Sequence, residues 1–200
     1  LDERGFARGA VYLDADGNEH EQKAHIVILA CSGIGTPRLL LNSTSSRFPN
    51  GLANSSGLVG RNLMLHCMTL TSGIFDRPLQ GWQGPIGCAL WSQEFYETDP
   101  ARGYARGYTF EMVRGMGPVA TAQVALARGA LPWGAGHHTA FQSMFDRSAT
   151  LVAVGEDLAE ECNRVTLDDD HPDSDGMPGV RIEYRLGDNS RRMLAHAGAR

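Results

Sequence analysis

Cysteine and long apolar runs are both scarce in this 200-residue sequence, and each shortage excludes a class of protein. The four cysteines show no Cys-x-x-Cys spacing, so the sequence indicates neither a zinc centre nor a disulfide framework. We expect them to be small buried side chains. No apolar run approaches the roughly 20 residues that a helix needs to cross a bilayer, so no membrane span is predicted.

Basic charge is also in short supply. The formal net charge is -5, which argues against a nucleic-acid partner because such proteins usually carry a basic face that neutralises phosphates. The composition, with 42% hydrophobic and 20% charged residues, is that of an ordinary globular chain able to bury a sizeable core. Low cysteine content is compatible with the cytoplasm and with export to the periplasm or beyond, so the compartment stays open.

The most informative pattern that is present is a strand followed by a glycine turn and a helix. Residues 26–30 form a short apolar run rich in β-branched side chains, which predicts a parallel strand covered on both faces. Gly33 and Gly35 permit a tight turn, Thr36 is the expected N-cap and Pro37 fits the first helical turn. Such junctions bind nucleotides in α/β sheets, but this pattern alone fits an ordinary strand–turn–helix equally well.

A second segment, Phe48 to His66, contains Asn-Gly-Leu and then Val-Gly-Arg-Asn-Leu before its final histidine. Together with the first segment it resembles the glucose-methanol-choline (GMC) family of flavin oxidoreductases. A third region, Glu156-Asp157-Leu158 followed by Asn163 to Leu167, is similar to the family's strand pair in the substrate domain. The resemblance therefore spans most of the chain.

The sequence departs from the family pattern at the turn. Ser32 occupies a position where the family usually has glycine, and Gly33 occupies the adjacent position, where the family usually has a small residue. Thr44 replaces a further glycine. Exchanging serine and glycine at adjacent positions is expected to move the residue with a permissive φ by one position. The detailed backbone contact is then expected to differ, while the location of the site is unchanged.

Both ends favour the hypothesis that the chain is an internal piece of a longer protein. The amino end has neither an initiator methionine nor a signal-peptide pattern, and it leads straight into a predicted hairpin with its turn at Asp16-Gly17. A helix over 191–196, capped by Asn189 or Ser190, stops after little more than two turns. The resemblance then implies a phosphate-binding glycine motif upstream and the catalytic histidine downstream.

The expected fold is α/β plus α+β. Residues 1–66 are expected to form part of an FAD-binding Rossmann-like domain, and residues 67–200 part of a substrate-binding domain with an antiparallel sheet, both incomplete. Beyond the hairpin, alternation and turn residues predict further elements. These are strands at 68–75, 104–113, 149–154, 164–167 and 180–184, and a short helix at 123–129.

The resemblance implies an FAD-dependent oxidoreductase that acts on the CH-OH group of a small alcohol or sugar. A base takes the hydroxyl proton while a hydride passes to the flavin, and the electron acceptor stays open. No residue here matches the family's catalytic histidine and its partner, so no catalytic residue is predicted. We expect the full-length protein to be an enzyme and this chain alone to be inactive.

The expected cofactor contacts lie in the turn and in the second segment. Backbone atoms of the turn would approach the dinucleotide, and the resemblance places the last two residues near the flavin. The eight residues are Ala30, Cys31, Ser32, Gly33, Gly35, Thr36, Asn62 and His66. His66 is also consistent with a hydrogen-bonded hinge residue.

No metal site is predicted. His137 and His138 are adjacent, and on a strand they would point to opposite faces. The acidic run 168–176 does not place ligands at the positions of a calcium loop, so a solvated hairpin connection is favoured.

Two alternatives remain open from the sequence. A nicotinamide-dependent or unrelated dinucleotide enzyme would use the same strand–turn–helix, although it has no reason to share the loop Val59 to Leu63. A noncatalytic module descended from a flavoprotein gains modest support from the Ser32-Gly33 departure. The coding sequence on both sides would separate these hypotheses.

Overall fold

The computed structural model describes residues 1–84 and 87–200, without the side chains of Cys88 and Ala89. In chain order its main elements are β1 (Gly9–Leu13), β2 (Glu19–Lys23), α1 (Ser32–Asn42), β3 (Cys67–Ile74), β4 (Cys88–Ser92), β5 (Tyr108–Val113), α2 (Pro118–Ala127), α3 (His137–Met144), β6 (Ser148–Gly155), β7 (Arg164–Asp168), β8 (Gly179–Glu183) and α4 (Asp188–Gly198). Among the described residues, no helix is both long and apolar enough to cross a bilayer.

The chain folds as two compact units. Unit 1 comprises Leu1–Met64 and Ala159–Arg185, and unit 2 comprises Leu65–Leu158 and Leu186–Arg200. From the sequence, residues 159–185 were expected in the second domain together with the rest of residues 67–200. In the structure they belong to unit 1, because β7 and β8 contact α1. The assignment of a cofactor domain and a substrate domain stays a prediction.

Unit 1 contains two antiparallel hairpins and helix α1. The first hairpin pairs β1 with β2, and its turn is closed by the Asp14 carboxylate, which accepts the backbone N–H groups of Asp16 and Asn18 at 2.9 Å each. The His20 ring lies 2.7 Å from the same carboxylate and, with these amides, lowers the pKa of Asp14 to about 2. The predicted hairpin and its turn are confirmed.

The second hairpin pairs β7 with β8, as the alternation at 164–167 and 180–184 predicts. The acidic run lies in their connection, where Asp168 pairs with Arg181 at 3.3 Å and with the His171 ring at 3.2 Å. The interpretation of this run as a hairpin connection is confirmed.

The predicted buried strand at 26–30 is wrong for this chain. These residues form no ladder, and Ile26 and Ile28 are 79% and 84% exposed. A strand exists only where a neighbour satisfies its backbone groups, and the described residues supply none at this segment. The ladders between the named strands are antiparallel throughout the described part of the chain.

Unit 2 is built on a four-stranded antiparallel sheet in the order β3-β6-β5-β4. The sequence predicts an antiparallel sheet here, but it predicts neither β4 nor the strand order. Helix α4 contacts β3 and β6, and Met193 on α4 is fully buried. Gly155 permits this packing, because a Cβ there would lie 2.7 Å from the sulfur atoms of both Cys67 and Met193. The core of unit 2 therefore forms where α4 covers the sheet.

The cysteines only partly follow the expectation of burial. Cys67 is buried, and desolvation together with the nearby Asp157 charge raises the pKa of its thiol. Cys31 and Cys162 are exposed free thiols. The side chain of Cys88 lies outside the described residues.

Two elements of unit 2 begin at other residues than predicted, and His137 and His138 lie in a different type of element. The strand expected from residue 104 begins at Tyr108, and the helix expected at 123–129 begins at Pro118, where proline occupies the first helical turn. His137 and His138 begin helix α3 rather than lying on a strand, so the argument from opposite strand faces is wrong.

Helix α4 begins at Asp188 with Gly187 as its N-cap, so neither Asn189 nor Ser190 caps it. Both side chains bind other partners. Asn189 hydrogen-bonds the backbone of Ala105, and the Ser190 hydroxyl donates to the Asp157 carboxylate at 2.7 Å. The capping prediction fails because these polar side chains are used in tertiary contacts.

Replacing Met193 with alanine should destabilise unit 2, because it removes a fully buried side chain beside Cys67 and Gly155. We expect the free energy of unfolding to fall by about 2 to 5 kcal/mol. Met68→Ala is the matched control, since Met68 is 50% exposed, and it should change stability by no more than about 0.5 kcal/mol. Urea unfolding followed by tryptophan fluorescence measures both, and equal losses would contradict the assigned core.

Candidate functional site

The turn predicted to bind a cofactor leads into a helix that starts earlier than expected. Helix α1 begins at Ser32, so Pro37 lies inside it and Thr36 is not its N-cap. The Thr36 hydroxyl instead accepts the Cys31 N–H at 3.2 Å, across the first turn. Pro37 has no N–H, so the carbonyl of Gly33 loses its helical partner.

Ser32 carries the unusual backbone conformation of this turn. Its φ is +66°, in the left-handed region, whereas Gly33 lies outside that region. The expected shift of the permissive φ to the glycine is therefore wrong. A left-handed conformation costs a non-glycine residue about 1 to 2 kcal/mol, so Ser32 stores strain at the start of the helix.

The first turn of α1 is open to a ligand. A Cβ built on Gly33 meets no atom within 4 Å, and no residue of α1 is buried. The first turn contains no acidic residue, so no carboxylate of that turn competes for its amides. Free N–H groups and the positive end of the helix dipole make such a terminus suitable for a phosphate.

Asn62 lies in a loop that is fixed to strand β7 by backbone hydrogen bonds. The Val165 N–H donates to Gly60 O at 2.7 Å, and the Leu63 N–H donates to Asn163 O at 2.8 Å. Between these bonds Asn62 has a φ of +59°, which asparagine tolerates better than most residues. Its conformation is thus set by a hairpin that is distant in sequence.

His66 lies in unit 2, whereas the other seven predicted contacts lie in unit 1. It is exposed, and its ring Nδ1 is 3.5 Å from the carbonyl oxygen of Gly155. This contact fits a hydrogen-bonded residue next to the point where the chain passes between the units. Its contact with a cofactor stays a prediction.

A cavity of about 410 Å³ in unit 1 does not contain the predicted site. It is lined by the carboxyl end of α1, the loop after it and strand β7, including Leu41, Arg61 and Arg164. None of the eight predicted residues lines it. We place the candidate site at the amino end of α1 instead, because the amides of the first helical turn lie there. One of them, the Ile34 N–H, makes a long contact of 3.4 Å with the Ser32 hydroxyl.

An aromatic cluster in unit 2 is a feature that the sequence analysis missed. The hydroxyl oxygens of Tyr104 and Tyr108 lie 3.1 and 2.9 Å from Nδ1 of His196, and Arg200 lies 3.2 Å from Nε2. Phe95 stacks on Tyr108 with ring centroids 5.2 Å apart. Burial raises the pKa of Tyr108 to about 12, so the phenol is neutral. The sequence gives no sign that His196 of α4 would contact Tyr104 and Tyr108, because about 90 residues separate them.

The Arg200 contact determines the proton position on His196. A guanidinium only donates, so Nε2 must accept and the ring proton lies on Nδ1, facing the tyrosine oxygens. Burial and the charges of Arg200 and Arg102 lower the pKa of His196, although Asp99 opposes them. The cluster therefore holds a neutral histidine that stabilises the end of α4.

Within residues 1–84 and 87–200, no group of three or more histidine, cysteine or acidic side chains is placed to hold a metal ion.

Comparison with known proteins gives relatives across almost the whole chain. It is 42% identical over 187 residues to 2-methyl-1,2-propanediol dehydrogenase from Mycolicibacterium austroafricanum, covering 92% of this chain and 34% of that protein. It is 29% identical to the fructose dehydrogenase large subunit of Gluconobacter japonicus, covering 92% of this chain and 33% of that protein. An uncharacterised GMC-type oxidoreductase of Mycobacterium tuberculosis is 31% identical over 50% of this chain and 14% of its own length.

The relatives confirm the resemblance to GMC-type oxidoreductases that the sequence motifs predict. The chain spans about a third of the length of the first two, which is consistent with a fragment. The nicotinamide and noncatalytic alternatives are not favoured. No family model matches the chain.

Replacing Ser32 with glycine should stabilise the turn, because glycine adopts a positive φ without the Cβ penalty. We expect a gain of about 0.5 to 1 kcal/mol in the free energy of unfolding, measured with urea. Gly33→Ala is the matched variant, and it should be neutral or slightly stabilising since space is open there. A marked loss in Gly33→Ala with no gain in Ser32→Gly would place the left-handed residue at 33.

Acidification should destabilise unit 2 through His196. Its folded pKa is lowered from 6.5, so the unfolded chain binds the proton more readily and stability falls as the pH drops below about 6.5. His196→Gln should flatten this dependence, measured as the free energy of unfolding between pH 7 and pH 5. The control is His138→Gln, which removes an exposed histidine of α3. An unchanged slope in His196→Gln would contradict the assignment.

Proposed function

Because curated relatives across this chain are GMC-type oxidoreductases, we propose that it is part of an FAD-dependent oxidoreductase acting on the CH-OH group of an alcohol or sugar. The observation that carries the proposal is the 42% identity, over 92% of the chain, to a protein named as a diol dehydrogenase. The relatives support an oxidoreductase function of the full-length protein. The use of FAD, the transfer of a hydride and the substrate class are the parts that we propose.

The amino end of α1 fits a dinucleotide. Its free amides suit a pyrophosphate, and the open space at Gly33 allows the ligand to approach the backbone. Residues 30–33 would bind through the backbone, while Gly35 and the Thr36 hydroxyl shape the turn. Asn62 and His66 would lie nearer the flavin.

FAD, when bound, supplies the hydride acceptor for the alcohol carbon. The residues of this chain bind and orient it, and the catalytic histidine lies outside these 200 residues. We propose that the 200-residue chain alone shows no turnover. Alcohol-dependent reduction of a dye by this chain alone would contradict that proposal. The electron acceptor stays open.

We also propose that residues 1–66 are part of the FAD-binding domain and that residues 67–158 and 186–200 belong to the substrate domain. The relatives are about three times as long as the segment they share with this chain, given the coverage of 34%. In the whole protein, segment 26–30 would pair with strands from the remaining sequence and so form a Rossmann-like sheet. Strands from the remaining sequence would then cover Ile26 and Ile28, which are 79% and 84% exposed.

The proposal is tested by FAD binding to the full-length protein with a charge placed at Gly33. Gly33→Glu should weaken FAD binding at least tenfold, since its carboxylate would face the pyrophosphate. Gly33→Gln is the neutral control of equal size. It should lose part of the affinity because its side chain occupies the space through which the ligand approaches the backbone, and the further loss in Gly33→Glu measures the effect of the charge. A carboxylate at a helix N-terminus is favourable, so the apo form of Gly33→Glu should keep its melting temperature. Titration followed by flavin fluorescence measures the affinity.

Wild-type FAD affinity in both the Glu and the Gln variant would remove the proposed site. A wild-type full-length protein that purifies colourless and takes up no FAD would remove the proposed function. Dye reduction with a vicinal diol, a sugar and a simple alcohol then decides among the substrates.

A further inference from the structure

We propose that Asn163 is a positioning residue for the cofactor, because its buried side chain fixes the strand that holds the loop carrying Asn62. This inference rests on the proposed function, in which Asn62 lies near the flavin. Asn163 itself is 1% exposed and therefore acts through the loop rather than by touching a ligand.

All the hydrogen-bonding groups of Asn163 are used within unit 1. Its side-chain oxygen accepts the Arg185 N–H at 2.7 Å, and its side-chain amide donates to Arg185 O at 3.1 Å. Its backbone N–H donates to Glu160 O at 3.0 Å, and its carbonyl accepts the Leu63 N–H at 2.8 Å. One buried residue thus joins the start of β7, the end of β8 and the residue after Asn62.

The loop has little freedom to adopt another register against β7. A Cβ on Gly60 would lie 2.2 Å from Val165 O, so the two backbones are in close contact. Arg61 pairs with Arg164 in an isolated antiparallel bridge. Moving the start of β7 would therefore move Asn62 with it.

The same hairpin also holds α1. The Arg38 Nε donates to Pro178 O at 2.8 Å, and its Nη2 lies 2.6 Å from the Asp173 carboxylate. This guanidinium holds the pKa of Asp173 below its usual range. The hairpin therefore contacts both segments that are predicted to bind the cofactor.

The chain contains a matched control in Asn189. Its side-chain oxygen accepts the Ala105 N–H at 2.8 Å, and its amide donates to Ala105 O at 2.9 Å. The pairing is the same as that of Asn163 with Arg185, but it lies in unit 2. Alanine at either position removes two hydrogen bonds of the same type, and the larger loss of stability is expected at Asn163, which is buried, whereas Asn189 is half-buried.

The experiment compares Asn163→Ala and Asn189→Ala in the full-length protein. Both should lower the melting temperature, whereas only Asn163→Ala should weaken FAD binding, by about tenfold, and shift the flavin absorption and circular dichroism bands. Asn163→Asp keeps the oxygen that accepts from Arg185 but loses the donor to Arg185 O and buries a carboxylate, so it should also weaken FAD binding. Unchanged FAD affinity and spectra in Asn163→Ala, or an equal loss in Asn189→Ala, would overturn the inference.

A measurement on the wild type covers the case in which the variants do not fold. If the hydrogen bonds of Asn163 strengthen FAD binding, then FAD binding must strengthen the hydrogen bonds of this loop by the same free energy, because such coupling is reciprocal. Amide hydrogen exchange at Leu63, Val165 and Arg185 should slow on adding FAD to the apo protein, while exchange at Ala105 should not change. Unchanged exchange at the first three amides would overturn the inference.

The two proposals fail in different ways. A wild-type protein that binds no FAD removes the proposed function, and the inference with it. A wild-type protein that binds FAD, with normal affinity in folded Asn163→Ala, removes only the role of Asn163.

Discussion

The backbone hydrogen bonds between the loop at 60–63 and strand β7 are the constraint on which unit 1 depends. They join segments that are far apart in sequence, and they set the left-handed conformation of Asn62. Helix α1 adds to them through its contacts with β7 and β8. The grouping of residues 159–185 with unit 1 is a direct consequence, because the hairpin that supplies these bonds also binds Arg38 of α1.

Local structure was predictable wherever a short segment satisfies its own backbone. The β1–β2 hairpin is an example, since Asp14 closes the turn within five residues. Strands at 68–75 and 149–154 were also predicted, whereas their pairing as β3 and β6 was not. In these cases turn chemistry and side-chain period agree with the tertiary fold, and the sequence alone is sufficient.

Prediction failed where the partner of a group lies far away in sequence. The apolar run 26–30 has the composition of a buried strand, but composition cannot supply the neighbouring strands. Ser190 has a side chain suited to an N-cap, yet its buried hydroxyl donates to the half-buried Asp157 carboxylate instead. Asn163 was missed for the same reason, because nothing next to it in sequence shows that its amide would pair with the backbone of Arg185. Of the candidate site, the location of the turn was predictable and the start of α1 was not.

The strained backbone of Ser32 lies at the end of α1 where we propose that a phosphate binds. Its left-handed φ lies between an exposed cysteine and a helix whose first turn is open, so few packing contacts stabilise it. Strained residues persist when surrounding interactions fix them, and the contact of Thr36 with the Cys31 N–H is one such interaction. A bound phosphate would accept hydrogen bonds from the amides of the first helical turn, so the strain would be offset mainly in the bound state. On this argument the departure from glycine at position 32 alters the stability of the turn more than its geometry.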